Sequence, residues 1–76
     1  MSHSNPTTTR VYLFDTTTGA MWAEDVAVER EIPAEVVPAP ADAKAKCGLA
    51  LQTLLEHSSA LEAALLEEGV PFLLYD

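Results

Sequence analysis

A single cysteine, Cys47, in a chain of 76 residues is the feature that most restricts the fold. Small domains without a large core are usually held together by disulfides, and one cysteine cannot form a disulfide within its own chain. One hydrophobic core must therefore stabilise the chain, because so few residues cannot supply two. The hydrophobic content of 49% is typical of a globular domain. We expect a single domain over residues 10–76, preceded by a disordered polar tail over residues 1–9.

The charge balance is strongly acidic, with twelve Asp and Glu residues against four Lys and Arg residues and a formal net charge of −8. Nucleic acids and anionic lipid surfaces are bound mainly through clustered Lys and Arg, so neither is an expected partner. The first nine residues, MSHSNPTTT, lack the features of a signal peptide, and no apolar stretch reaches the roughly 20 residues of a membrane span. Because a lone thiol suits a reducing compartment, we expect a cytoplasmic protein.

Apolar spacing and the positions of proline predict four strands and two helices. Pro33 stops the first helix because proline lacks an N–H group, and Pro38 and Pro40 end the second strand. A solvent-facing loop without a strand pattern is expected over residues 39–46. The predicted strands cover residues 10–14, 34–37, 49–53 and 72–75, and the predicted helices cover residues 19–30 and 59–68.

The ends of both helices carry sequence signals. Thr17 or Thr18 is expected to cap the first helix, because a threonine hydroxyl accepts a bond from an unpaired backbone amide. Ser59 and Glu62 match the S-x-x-E capping box and predict the start of the second helix, and Gly69 predicts its left-handed end. Helical spacing predicts the buried sides as Ala20, Ala23, Val26 and Ala27 in the first helix and Leu61, Ala64 and Leu65 in the second, with Glu62, Glu67 and Glu68 facing water.

The β-α-β-β-α-β order predicts an α+β fold, the ferredoxin-like sandwich, in which two helices cover one face of an antiparallel sheet. Strands one and four are apolar at consecutive positions, although a sheet with one wet face should alternate apolar and polar residues. We therefore expect the uncovered face to be buried in a homodimer. Trp22 lies off the apolar side of the first helix, and two interpretations stay open: it packs at the edge of that side, or the dimer covers it.

The segment around Cys47 is the part of the sequence that suggests chemistry. Cys47 ends the loop, Lys44 and Lys46 lie within three positions of it, and Gly48 leaves the adjoining backbone open. Nearby ammonium groups favour a thiolate, which is the form that attacks sulfur or selenium. The alternative is a small apolar side chain packed where the loop meets the strand.

The segment VVPAPADAKAKCGLAL, with GAMWAEDVAVEREIPAEVVPAP overlapping its start, resembles the short bacterial selenium/sulfur (Se/S) carrier-like proteins, a domain of unknown function. The resemblance covers residues 11–75, and Pro38, Pro40, Cys47 and Gly48 match its most recognisable part. The family tends to have small hydroxyl residues before the cysteine, where this chain has Lys44-Ala45-Lys46.

The resemblance implies a function in which Cys47 holds sulfur or selenium as a persulfide or selenopersulfide. Gly48 would admit the backbone of a partner, and Lys46 and Lys44 would steady the charged group and dock an acidic donor surface. The implied partners are a donor such as a cysteine desulfurase and an acceptor enzyme. The alternative is a non-catalytic interaction module of the same fold with a structural cysteine, and the exposure of Cys47 distinguishes the two.

Other chemistry finds little support in the sequence. His57 is ten residues from Cys47 across a whole predicted strand, so it is a poor candidate for a base. One cysteine and two histidines cannot supply the four ligands of a structural zinc site within one chain, and the three glycines are too far apart to form a phosphate-binding loop. We therefore expect no metal and no cofactor, and a carrier or binding protein rather than an enzyme.

Overall fold

The computed structural model describes residues 9–43 and 46–75 of the chain. The predicted β-α-β-β-α-β order is confirmed. The predicted tail lies outside the described residues apart from Thr9, which is the first residue of β1. The elements are β1 (Thr9–Leu13), α1 (Thr17–Glu29), β2 (Ala34–Pro38), β3 (Leu49–Leu54), α2 (Leu55–Glu68) and β4 (Leu73–Tyr75).

The four strands form one antiparallel sheet in the order β2-β3-β1-β4. Tyr12 of β1 pairs with Leu51 of β3 on one side and with Leu74 of β4 on the other. Leu51 pairs in turn with Val36 of the edge strand β2. The predicted α+β class with an antiparallel sheet and two helices is therefore confirmed, and the two central strands are β1 and β3.

The hydrophobic core lies between the sheet and the helices. Tyr12 and Leu51 are fully buried and belong to one cluster with residues of both helices, so both helices cover the same face of the sheet. The predicted buried sides are confirmed in full: Ala20, Ala23, Val26 and Ala27 of α1, and Leu61, Ala64 and Leu65 of α2. Within the described residues, neither helix is long and apolar enough to cross a membrane.

The Tyr12 side chain joins three parts of this core. Its ring meets the ring of Phe72 edge to face, with 5.4 Å between the ring centres. Its hydroxyl donates a 2.8 Å hydrogen bond to Oε2 of Glu62 in α2, and Arg10 lies 3.5 Å from the same carboxylate oxygen. Burial, followed by the bond to Glu62, raises the pKa of Tyr12. Glu62 therefore faces the sheet, contrary to the expectation that it points into water.

The predicted starts of both helices are wrong. Helix α2 begins at Leu55, directly after β3, so Ser59 lies inside the helix and forms no capping box. The carboxylate of Glu62, which the capping box required, binds Tyr12 instead. Helix α1 is capped by Thr16, whose Oγ1 accepts a 2.9 Å bond from the Gly19 amide, and Thr17 is already helical.

Both helices end in the same hydrogen-bonded turn. The Val70 amide donates to the Leu65 carbonyl at 2.9 Å, and Gly69 between them has a φ of 78°. These are the features of a Schellman motif, in which a left-handed residue follows the last helical turn. Helix α1 ends in the same way, with Glu31 at a φ of 58°. The predicted role of Gly69 is confirmed, whereas no sequence signal marked Glu31.

We expect Gly69→Ala to lower the free energy of unfolding by about 1 kcal/mol, because a Cβ atom is disfavoured in the left-handed region. The measurement is urea denaturation followed by circular dichroism. Gly48→Ala is the matched control, since Gly48 has no positive φ and a Cβ at either glycine would meet no atom within 4 Å. Equal stability of the two variants would contradict this account of the helix end.

Candidate functional site

Cys47 lies two residues before the first residue of β3, at the end of the connection from β2. It is half-buried and packs against the hydrophobic core cluster. Its Sγ donates a hydrogen bond to the Leu49 carbonyl oxygen at 3.1 Å. The thiol is therefore neither fully exposed nor fully enclosed, and a reagent or partner can reach it only from the side that the core leaves open.

The backbone next to Cys47 is accessible. Gly48 is exposed, and a Cβ atom built on it would meet no atom of the described residues within 4 Å, its two sequence neighbours aside. Its carbonyl oxygen accepts a 2.8 Å bond from the Ala39 amide, which extends the pairing of β2 and β3 beyond the strands. The space at Gly48 would allow another chain to approach the cysteine closely.

The structure describes only one of the two lysines near Cys47. Lys46 is exposed and directly precedes Cys47, whereas Lys44 lies outside the described residues. The two arginines are engaged elsewhere: Arg10 lies beside Glu62, and Arg30 binds Glu67 at 2.9 Å and Glu68 at 3.1 Å, both on α2. Among the described residues, Lys46 is the cationic side chain next to Cys47 in the sequence.

The connection between β2 and β3 is tied to the opposite edge of the sheet. Tyr75 of β4 donates a 2.6 Å hydrogen bond to Oδ1 of Asp42, and this bond raises the pKa of Tyr75. Ala39, Pro40 and Ala43 are half-buried, so the expected solvent-facing loop is only partly exposed. Sequence reasoning missed this pair, because 33 positions separate its members. The available signal was an amphipathic tyrosine on the strand face that no helix covers.

The other candidate groups lie away from Cys47. His57 is in the first turn of α2, at the far end of β3, with Nε2 3.4 Å from Oε2 of Glu56. Six residues of extended strand, at roughly 3.3 Å each, separate the two ends of β3, so His57 cannot act as a base for Cys47. Among the residues described, no group of three His, Cys, Asp or Glu side chains could hold a metal ion.

Two shallow clefts in the described part of the surface do not include Cys47 in their lining. One of about 200 Å³ is at the end of the sheet where β3 finishes, between Thr9, Glu35 and Leu54. The other, of about 140 Å³, lies between Leu13, Asp15 and Phe72 and is also lined by Pro71 and Leu73. Cys47 is therefore a half-buried thiol at the surface and does not line either of these clefts.

We expect Cys47 in the native protein to react with iodoacetamide roughly threefold to tenfold more slowly than in the urea-denatured protein, because the folded core blocks part of the approach to sulfur. Intact mass measured over time gives both rates at the same pH. Equal native and denatured rates would contradict the half-buried position of the thiol.

Three comparisons with known proteins were informative to different degrees, and the match came from a family model. Neither the search of curated proteins nor the search of solved structures found a match. The sequence model of one family matches residues 10–75, which include all six helices and strands apart from Thr9. The chain therefore belongs to the family described as "Putative Se/S carrier protein-like".

Proposed function

We propose that this chain is a carrier that holds one sulfur or selenium atom on Cys47 and delivers it to an acceptor enzyme. The observation that supports the proposal is the position of the thiol in a chain of this family. Cys47 is half-buried at the end of a connection, beside the open backbone of Gly48. A carrier needs a thiol that a partner can reach but that is partly protected from other reagents.

The proposed loading step is a thiol exchange. The Cys47 thiolate attacks the terminal sulfur of a donor persulfide, a new S–S bond forms at Cys47, and the S–S bond of the donor breaks. The donor cysteine leaves as a thiolate, so no external oxidant or reductant is needed. Transfer to the acceptor repeats the exchange, with an acceptor thiolate attacking the outer sulfur. A donor selenopersulfide would load selenium by the same route.

The proposed partners are a donor such as a cysteine desulfurase and an acceptor enzyme. Lys46 is exposed beside the thiol in a chain with a net charge of −8, so it is suited to contact an acidic group of a partner. We extend the same role to Lys44 from its sequence position alone. Gly48 would let the backbone of the partner approach the persulfide closely. In this proposal the chain is a carrier and not itself an enzyme.

The proposal also includes the fold type and the cellular location. We infer a ferredoxin-like fold, and the sheet order β2-β3-β1-β4 with a helix after β1 and another after β3 supports it. We also infer a cytoplasmic location, since a lone thiol stays reduced there.

A second candidate function is an interaction module in which the cysteine is structural. The observation that favours it is the packing of Cys47 against the core, together with the bond from its Sγ to the Leu49 carbonyl. A buried cysteine that acts as a small apolar residue has these features. In that case the function lies on the sheet face that the helices leave uncovered.

We expect the reduced protein to gain one sulfur atom, removable by a thiol reductant, when it is incubated with a cysteine desulfurase and cysteine. The gain should occur at Cys47 because the thiolate is the attacking group. Intact mass spectrometry before and after reduction measures the gain. Cys47→Ala should gain nothing under the same conditions, and Gly48→Ala keeps the thiol and tests the space beside it.

A wild-type chain that stays unmodified, while a small-molecule persulfide also fails to load it, would reject the carrier function. Loading by the small persulfide with no loading by the desulfurase would instead identify a different donor. Slower loading of Gly48→Ala by the protein donor, with unchanged loading by the small persulfide, would support close approach of the donor backbone at this position.

We further propose that the sheet face opposite the helices forms a homodimer through its open part, where Leu73 is 65% exposed. Sedimentation velocity over a concentration series should give a dimer that Leu73→Glu converts to a monomer, because two like charges would meet across the interface. Val28→Glu, on an exposed position of α1, is the control and should stay dimeric. A monomer at every concentration of the wild type would reject the dimer.

A further inference from the structure

The sheet face opposite the helices is buried at one end, although no helix lies on it. Residues that pair across strands share a face, so Leu13 and Ala50 point away from the core residues Tyr12 and Leu51. Leu13 nevertheless has only 7% of its surface exposed, and Ala50 has none exposed. Another part of the chain must therefore cover this end of the face.

The covering part is the segment of residues 39–43 that leaves β2. Tyr75 points to the same face, because it pairs with Val11, the neighbour of Tyr12. Strands β2 and β4 are the two edges of the sheet, and strands lie about 4.8 Å apart, so Asp42 can reach Tyr75 only if this segment extends across β3 and β1. The half-buried Ala39, Pro40 and Ala43 fit that placement.

The segment also connects to the residue after the thiol. The Ala43 amide donates to the Pro40 carbonyl at 3.0 Å, which closes a tight turn around Asp42. At the other end of the segment, the Ala39 amide binds the carbonyl of Gly48, the residue that follows Cys47. A restraint on Asp42 is thus passed by one turn and one backbone bond to Gly48, the residue that follows the cysteine.

We propose that Tyr75 and Asp42 are positioning residues for Cys47: their hydrogen bond holds residues 39–43 across the sheet, and the Ala39–Gly48 bond at the start of that segment holds the backbone from which Cys47 packs against the core. The role of this hydrogen bond rests on the proposed carrier function. In a carrier, the bond would limit reaction of the thiol with small oxidants and electrophiles until a partner docks. Loss of the bond releases the segment and loosens the backbone at Gly48, so Cys47 leaves its packed position on the core more often and reagents reach the thiol more easily.

The test compares two variants that each lose one tyrosine hydroxyl. Tyr75→Phe breaks the bond to Asp42, and we expect iodoacetamide to alkylate Cys47 about threefold to tenfold faster in this variant under native conditions. Tyr12→Phe breaks the bond to Glu62 but keeps the buried ring and leaves the bond between Tyr75 and Asp42 in place. We expect its alkylation rate to stay within about twofold of wild type, because the local restraint on the thiol is intact.

Asp42→Ala removes the other partner of the bond and should accelerate alkylation as much as Tyr75→Phe does. The double variant should react no faster than either single variant, because both changes remove the same interaction. Hydrogen exchange at the Ala39 and Ala43 amides should rise in the same variants. An unchanged rate in Tyr75→Phe, or an equal increase in Tyr75→Phe and Tyr12→Phe, would overturn the proposal.

The result of this alkylation test can be distinguished from the result of the persulfide test of the carrier function. Alkylation needs no donor protein, so faster alkylation of Tyr75→Phe together with no persulfide on the wild type would retain the positioning pair and reject the carrier. A persulfide on the wild type together with unchanged alkylation of Tyr75→Phe would retain the carrier and reject the positioning pair.

Discussion

Burial of Tyr12 is the interaction on which the rest of the structure depends. The residue is fully buried on the central strand β1, and its ring contacts Phe72, the residue that leads into β4. Burying a large side chain contributes about 1.5–3 kcal/mol, but only if its hydroxyl finds a partner. Glu62 supplies that partner from α2, and Arg10 beside it offsets the negative charge. One side chain thus joins the sheet centre, its edge and a helix.

The small residues of α1 complete the same arrangement. Alanines at positions 20, 23 and 27 present little side-chain volume, so the helix can lie close to the sheet while the larger Leu51, Leu61 and Leu65 fill the core. Both helices lie on one face of the sheet, so the opposite face can be covered within the chain only by a segment that is not helical. Residues 39–43 provide that cover at the end where Cys47 lies, so the fold and the environment of the thiol are linked.

The sequence predicted the elements well where the signal was local. Helical spacing identified the buried side of α1 without error, and Gly69 predicted the end of α2. The capping box was wrong because it treated Ser59 and Glu62 as partners of each other, whereas Tyr12, 50 positions from Glu62, takes the carboxylate. The Thr17 or Thr18 cap was wrong by one or two residues, since consecutive threonines 16–18 have the same chemistry and only the backbone of Thr16 is extended.

For the candidate site, the sequence by itself identified the candidate thiol, Cys47, and the family. Both depend on neighbouring residues, Pro38, Pro40, Cys47 and Gly48, and on the match over residues 10–75. Only the tertiary structure decided how much of the thiol is exposed and which residues hold the segment beside it. The exposure of the thiol depends on its packing against the core, and the segment of residues 39–43 is held by a pairing between distant positions, Tyr75 with Asp42. Local patterns carry no information on such pairings, because they form only when the strands assemble side by side.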